Sequence, residues 1–351
     1  MAYSSVGRPR FYINTLAWLD SLGLITGGAL KTENMLYLPP SGLKNWVSPT
    51  DTDNGYNDTR TVHTSGFSMG EVFKKNVYAA FLGHNFASSN SEIRYYHYRV
   101  GDNTSYNSFP GATEVVNKQF DYDGFSIVSW DDVGIPAEKN AISIRMDSPN
   151  YPTPYPVNPT ICSAILGTYY SPPHSPDLNL TMTREYGGHK EITTKGGASL
   201  SNSCYRGSPS WGEAGAWELY ASDSDMSRQK LARSGRRVWD LSFSYLQDSD
   251  VFGIQVLDGG KWGNQTDLGW EAADLGTGQD NTGKFNYNLL TDDSFYTQVI
   301  HKLNGGQSAF IFQPDVNDNT NFAIAKFASG FKFDQVANGV YNVKLKIREV
   351  W

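Results

Sequence analysis

Residues 340–351 read VYNVKLKIREVW, and this stretch decides the fold class of the chain. Val343, Leu345 and Ile347 alternate with basic residues, which is the two-residue period of a β-strand with one buried face. Asn338-Gly339, directly before the stretch, is a preferred dipeptide of tight hairpin turns and predicts an antiparallel strand ahead of it. The C-terminus is therefore predicted to end in a β-hairpin.

The same period occurs upstream. Residues 238–246, VWDLSFSYL, place Trp239, Leu241, Phe243 and Tyr245 on one face, as in a strand covered on one side. Further strand candidates in this part of the chain are AFIFQP (309–314), FAIAKF (322–327) and GFKFDQV (330–336).

One helix is predicted among these strands, between Thr291 and Gly306. Thr291 is a suitable N-cap, and acidic residues follow it in the first turn. His301 and Lys302 lie in the last turn, so the charges at both ends have the sign that the helix dipole favours. The stripe predicted to face the core consists of Phe295, Val299 and Leu303.

The N-terminal half predicts a second β unit. Short apolar runs separated by polar loops are typical of a sandwich or jelly roll. The strand candidates are VYAAFL (77–82), GFSIVSW (124–130), AISIRM (141–146) and ICSAILGTYY (161–170). The prolines of SPPHSPDL (171–178) suggest a boundary. We therefore expect an arm at 1–34, a jelly-roll or β-sandwich domain at 35–175 and a second β domain at 176–351.

Charge and composition exclude several classes. The net charge is −7, whereas binding to nucleic acid by neutralising phosphates needs a basic surface. No apolar run is long enough for a membrane span, and no export signal is recognised at the N-terminus. Without such a signal, Cys162 and Cys204 are interpreted as reduced thiols in preference to a disulfide.

The sequence contains no motif of a known catalytic or metal site, so no enzyme activity, metal or cofactor is expected. Asp121 with Asp123, and Asp131 with Asp132, are the acidic pairs that a glycosidase or depolymerase would need. Aspartates also stabilise turns, and turns are the favoured interpretation. His84-Asn85 is interpreted in the same way, as a turn rather than a site.

Sugar binding is the most plausible activity of the N-terminal half, because aromatic rings stack on sugar faces. The candidate glycan-contacting residues are Tyr95, Tyr106, Trp130, Tyr151 and Tyr155. The alternative is that aromatic residues at alternate positions, such as Tyr96 and Tyr98, fill a sandwich core.

Four C-terminal stretches resemble tail proteins of tailed bacteriophages, particularly marine ones. They are LGTYYSPPHSPDLNLTMTREYGGHKEITTKGGASLSNS (166–203), SGRRVWDLSFSYLQDSDVF (234–252), FIFQPD (310–315) and FKFDQVANGVYNVKLKIREVW (331–351). In the N-terminal half, VYAAFLGHNFASSNSEIRYYHY (77–98) is similar to the start of galactose-binding-type jelly rolls carried by some phage tail proteins.

This resemblance implies a structural protein of the virion that is assembled in the host cytoplasm. The C-terminal domain would be a tail-tube-like β-sandwich flanked by one helix, and copies would form a ring, by analogy a hexamer. The ring would be a distal-tail or tail-tip (baseplate) component that links the tail tube to hub or fibres. The alternative is a receptor- or glycan-binding module for a host surface glycan, anchored by the C-terminal domain. The candidate edge strand for pairing between copies carries Tyr341, Val343, Leu345 and Ile347.

Overall fold

A computed structural model describes residues 6–38, 44–46, 57–64, 68–100, 113–119, 123–131, 134–136, 138–147, 155–178, 180–185, 190–202, 235–252 and 293–350. Within these residues the protein is mainly β and built from antiparallel sheets, which confirms the predicted fold class. No helix in these ranges is long and apolar enough to cross a membrane.

The N-terminal strands are β1 (Arg10–Ile13), β2 (Ile25–Gly27), β3 (Lys44–Asn45), β4 (Asn57–Thr64), β5 (Val77–His84), β6 (Glu92–Tyr98), β7 (Thr113–Gln119), β8 (Gly124–Trp130), β9 (Ala141–Asp147), β10 (Thr160–Ile161) and β11 (Ser163–Tyr170). The later strands are β12 (Thr181–Glu185), β13 (Lys190–Thr193), β14 (Ser199–Asn202), β15 (Arg236–Gln247), β16 (Phe310–Gln313), β17 (Ala323–Phe327), β18 (Lys332–Ala337) and β19 (Val340–Glu349). The helical segments are α1 (Thr15–Ser21), α2 (Ala29–Thr32), a 3-10 turn (Met69–Glu71), a short helix (Asp248–Val251) and a π-helix (Tyr296–His301).

One ten-stranded sheet runs through both halves of the chain. Its order is β12-β15-β19-β17-β16-β1-β11-β5-β8, with β18 also paired to β19. Strand β1, from the predicted arm, lies in the middle: Phe11 is opposite Tyr170 of β11 on one side and Phe312 of β16 on the other. The predicted arm and both predicted domains therefore contribute strands to one sheet.

A five-stranded sheet, β2-β4-β9-β6-β7, completes a sandwich in the N-terminal half. Its inner face contributes Val62, Tyr95 and Ile144 to a buried core. Phe81 of β5 and Leu166 of β11, from the ten-stranded sheet, belong to the same core. The two sheets thus bury one apolar layer between them, as expected for a sandwich.

The π-helix covers the C-terminal part of the ten-stranded sheet. The predicted stripe is confirmed, because Phe295, Val299 and Leu303 are 5%, 0% and 1% exposed in the same core as Phe310. The predicted cap, Thr291, lies outside the described residues, as does Asp292. Within the described residues, the Ser294 hydroxyl accepts a hydrogen bond from the Thr297 amide at 3.2 Å.

Strand β15 departs from its predicted alternation at one residue. Trp239, Leu241 and Phe243 are buried as predicted, but Tyr245 is 77% exposed and has a φ of +60°. A bulge between Phe243 and Leu246 turns Tyr245 outward and gives its core position to Leu246. The prediction for Tyr245 is therefore wrong, because one extra residue reverses the faces of the strand.

Strand β19 has the predicted inner face but is not an edge. Val343, for example, is opposite Phe243 of β15 and also opposite Phe333 of β18. Strand β17 pairs with the end of β19 on the same side as β18. The prediction that Tyr341, Val343, Leu345 and Ile347 form an edge for pairing between copies is wrong, because Tyr341, Val343 and Ile347 are paired on both sides within the chain, and of the four only Leu345 lacks a strand partner on one side among the described residues. In the ten-stranded sheet, among the described residues, the strands paired on one side only are β8, β12 and β18.

Candidate functional site

The outer face of the five-stranded sheet carries an ordered set of polar and aromatic side chains. Alternation in β9 buries Ile142, Ile144 and Met146, so Ser143, Arg145 and Asp147 point to the opposite face. Strand β9 pairs with β6 on one side and with β4 on the other, so the residues of β6 and β4 that point to this face lie beside those of β9. We define the polar sheet face as Thr59, Thr61, Glu92, Arg94, Tyr96, Tyr98, Ser143, Arg145 and Asp147.

Asp147 organises the charges on the polar sheet face. Its Oδ1 accepts from Arg145 Nε at 2.6 Å, and its Oδ2 lies 2.9 Å from Arg94 Nε. Arg94 also donates to Glu92 Oε1 at 3.0 Å. Burial raises the pKa of Asp147, whereas Arg145 and then Arg94 act to lower it. Two cations and two anions thus hold each other in a nearly neutral network that fixes the directions of both guanidinium groups.

Ser143 is the unusual member of the face. Its side chain is fully buried, and its hydroxyl has no hydrogen-bond partner among the described residues. Tyr96, directly opposite on β6, is 8% exposed, and Tyr98 is 7% exposed. Buried polar atoms in folded proteins are nearly always paired, so the Ser143 hydroxyl indicates a position for a buried water molecule.

The structure separates the predicted glycan-contacting residues. Tyr95 is 2% exposed and stacks on Trp130 inside the sandwich, with ring centroids 5.2 Å apart. Tyr155 packs against the same core, while Tyr106 and Tyr151 lie outside the described residues. Tyr95 therefore offers no surface to a sugar, which corrects that assignment. Tyr96 and Tyr98 lie on the opposite face of β6, and both are buried, as the alternative interpretation expects of aromatic residues at alternate positions.

Three polar atoms inside the sandwich also have no hydrogen-bond partner in the described part of the chain: the Tyr95 hydroxyl, His97 Nε2 and Trp130 Nε1. The rings of Tyr95 and His97 are 4.8 Å apart. Burial, and secondarily Lys139, lowers the pKa of His97 to about 4. The imidazole is therefore neutral at physiological pH, and its position within the core favours a packing role.

The aspartates of the two candidate acid pairs have structural contacts where the structure describes them. Asp123 accepts hydrogen bonds from the amides of Ala87 and Ser88, at 2.9 and 3.1 Å, and from the Ser88 hydroxyl. Asp123 therefore clamps the distant turn after β5, whereas the sequence prediction has it stabilise its own turn. Asp131 accepts from the Tyr169 hydroxyl and pairs with Arg10 at 3.3 Å. Asp121 and Asp132 lie outside the described residues.

His84 is a buried structural histidine. Its Nε2 lies 3.0 Å from the Ser126 hydroxyl, its Nδ1 accepts from the Phe86 amide at 3.3 Å, and its ring stacks on Phe86. Burial lowers its pKa to about 3, so it stays neutral. Gly83, with a φ of +64°, provides the bulge that turns His84 inward.

In the part of the chain that the structure describes, no group of three or more His, Cys, Asp and Glu side chains is arranged to hold a metal ion. Cys162 is a free, half-buried thiol whose pKa is raised by burial, and Cys204 lies outside that part.

Comparison with known proteins adds no identification: the sequence matches no protein-family model and no curated protein.

Proposed function

We propose that the chain is a non-enzymatic structural subunit of a phage tail, a ring-forming distal-tail or tail-tip component of the virion. The sequence resemblance suggests this class, and the continuous ten-stranded sheet is the observation that carries the proposal. Because β1 pairs with β11 and β16, the sandwich and the helix-covered region share one hydrogen-bonded sheet. Such a sheet suits a subunit that holds a fixed shape between neighbours such as tube, hub and fibres.

The oligomeric state tests this proposal. A ring built by strand pairing would bury well over ~2,000 Å² per subunit contact and be effectively obligate. Mass photometry of the purified chain, alone and mixed with a neighbouring tail protein, is expected to give a closed oligomer, with six copies as the expected number. A monomer that persists in both samples would contradict the ring.

The edge strand gives a sharper test than the C-terminus, because β19 is interior to the sheet. Met182→Pro in β12 removes a donor from a strand that pairs only with β15 among the described residues. Loss of the oligomer while the monomer stays folded would identify β12 as a contact. An unchanged oligomer would assign the contact to β8 or β18.

A second candidate function, binding of a neutral host surface glycan, is favoured by the polar sheet face. Arg94, whose side chain is 34% exposed, and Arg145, whose side chain is 18% exposed, are held in place by Asp147. Sugar hydroxyls pair well with such fixed polar groups. The nearly balanced charges favour a neutral sugar over a charged one.

A glycan array followed by titration tests this candidate. Arg94→Ala removes a partly exposed donor of the polar sheet face, and we expect about tenfold weaker binding, the equivalent of one good hydrogen bond. Arg99→Ala is the matched control, since this exposed cation directly follows β6 outside the polar sheet face. Glycan binding at this face would be contradicted if the protein bound no host polysaccharide, or if both variants lost the same amount of glycan affinity.

A further inference from the structure

A groove of about 460 Å³ lies on the outer face of the C-terminal part of the ten-stranded sheet. It exists because two strands share one side of β19: β18 pairs with residues 340–344 and β17 with residues 347–349. Leu345 and Lys346 therefore face the linker 328–331 instead of a strand. Strands β15 and β19 form the floor, and the linker with the start of β18 forms the wall.

The groove is cationic although the whole chain carries a net charge of −7. Lys332, Lys344 and Lys346 line it, and Asp240 is the one carboxylate among the described residues that line it. Asp240 is 3.9 Å from the Lys346 ammonium, and both side chains are about half exposed, so this pair neutralises little of the charge. Lys332 also contacts Asp334 outside the groove, in a pair that is similarly exposed.

Two of these lysines are placed against each other. Lys332 and Lys344 are directly opposite in the β18–β19 register, so their Cβ atoms are about 5 Å apart, where like charges destabilise a sheet. Lys346 lies two residues along the same strand and face, about 7 Å from Lys344. Three lysine side chains therefore project from neighbouring positions of one sheet face, with the Lys332 ammonium paired to Asp334 and the Lys346 ammonium near Asp240. The excess of lysines over carboxylates in the lining favours an anion.

The wall of the groove leaves room for a ligand to approach the protein backbone closely. A Cβ atom built on Gly330 would have nothing within 4 Å, so a ligand can reach the backbone there. Ser242 and Ser329 add hydroxyl groups to the lining. Lysine ammonium groups act as point charges that suit a tetrahedral oxyanion, whereas planar carboxylates are matched by the arginine fork.

We propose that this groove binds a phosphate group carried by a small sugar or polyol. The volume is within the range of sites for small ligands and exceeds what a bare phosphate needs. This site is separate from the polar sheet face and does not depend on the ring or on glycan binding there.

Isothermal titration calorimetry and thermal-shift assays test the proposal. The ligands are inorganic phosphate, glycerol 3-phosphate and glycerol, each at an ionic strength matched with sodium chloride. We expect both phosphates to bind, glycerol 3-phosphate more tightly, and glycerol not to bind. Lys344→Gln is expected to weaken binding at least fivefold, and it should not lower the melting temperature of the empty protein because it relieves the repulsion with Lys332. Lys326→Gln, an exposed cation of β17 outside the groove, is the control and should bind normally.

Two results would overturn the phosphate site. One is that phosphate stabilises the protein no more than chloride does, or that the Lys344→Gln and Lys326→Gln variants lose the same amount of phosphate affinity. The other is preferential binding of a short single-stranded oligonucleotide with a steep salt dependence, since this would assign the lysines to a nucleic-acid backbone.

Discussion

Among the described residues of the C-terminal half, two cationic side chains are buried, and they have opposite kinds of partner. Arg237, 5% exposed, meets Glu349, 1% exposed, through Nε at 3.2 Å and Nη2 at 2.9 Å. Its other contacts are Asn321 Oδ1 at 2.7 Å and the Phe322 carbonyl at 2.6 Å. Glu349 also accepts from the Arg237 amide at 2.8 Å. This pair ties β15, β19 and the start of β17 together.

Lys302, 1% exposed at the end of the π-helix, has neutral partners instead. Its Nζ donates to Gln298 Oε1 at 2.6 Å and to Thr168 Oγ1 at 3.3 Å. No carboxylate in the described part of the chain is bonded to it. Burial lowers its pKa to about 7, and Asp293 partly opposes this shift. The comparison teaches that a buried charge with a bonded counter-charge acts as a clamp, whereas one without it couples stability to pH.

Removing the counter-charge from the clamp should have the largest effect. Glu349→Ala leaves Arg237 buried and unpaired, and we expect a loss of about 3–5 kcal/mol in the free energy of unfolding. Urea denaturation followed by tryptophan fluorescence measures it. Glu185→Ala is the control: Glu185 pairs with Arg348 at 2.8 Å in the same sheet, but the pair is more than 40% exposed and should be worth about 1 kcal/mol or less. Similar losses in the two variants would refute the distinction.

Replacing Lys302 with an apolar residue should raise the free energy of unfolding, in contrast to Glu349→Ala. Lys302→Met keeps the volume and removes a desolvated charge, so we expect a gain of about 1–4 kcal/mol at pH 7. A decrease in stability would show that the hydrogen bonds of Lys302 outweigh its desolvation.

The pH dependence follows from the lowered pKa. Between the folded value near 7 and the unfolded value near 10.4, the unfolded chain binds more protons at this lysine, so its contribution to stability rises with pH in that window. The slope is at most about 1.4 kcal/mol per pH unit. Urea midpoints at pH 7, 8 and 9 should therefore rise in the wild type relative to Lys302→Met. A constant difference between the two proteins would argue against an unusual pKa.

Most of the strands could be predicted from the sequence, because alternation and turn residues act locally. Gly339, at a φ of +67°, turns β18 into β19 as Asn338-Gly339 predicts. The position of each strand within its sheet is not a local property. Nothing in residues 10–13 indicates that β1 pairs with strands about 155 and 300 residues away. The wrong edge prediction for β19 has the same cause. Its hairpin partner, β18, is indicated by Asn338-Gly339, but its other partner, β15, lies far upstream, and nothing local to β19 indicates that pairing.

The candidate site was only partly predictable. AISIRMD indicates by alternation that Ser143, Arg145 and Asp147 share the face opposite to the core. In EIRYYHY both phases contain aromatic residues, but Glu92 and Arg94 share a face with Tyr96 while Ile93 shares a face with Tyr95, so the charges favour Tyr95 inside. The pairing of β6 with β9 agrees, because Arg94 is opposite Arg145 and Tyr95 is opposite Ile144. In this strand the charged positions, and not the aromatic ones, carry the signal for the buried face.

Giving Lys302 a carboxylate should make it resemble the clamp. Gln298→Glu places an acid where the amide oxygen now accepts at 2.6 Å, on a side chain that borders an open cleft and keeps some contact with water. We expect the pKa of Lys302 to rise, the pH dependence between 7 and 9 to weaken, and stability at pH 7 to increase by about 1 kcal/mol. Urea midpoints at the same three pH values measure both effects. Unchanged pH dependence would mean that the new carboxylate turns to solvent.

The smallest effect is expected at Asp293, the acid whose field supports the Lys302 ammonium while its side chain pairs with Lys75 at the surface. Asp293→Asn should lower stability at pH 7 by about 0.5 kcal/mol, because both interactions are weakened by solvent. A double-mutant cycle with Lys302→Met separates them: the part due to Lys302 vanishes in the Met background, and the part due to Lys75 remains. Asp334→Asn, which breaks another exposed pair with Lys332, is the control and should show no coupling to Lys302. Equal effects of Asp293→Asn in both backgrounds would leave Lys302 without electrostatic support, and its neutral partners alone would then account for its burial.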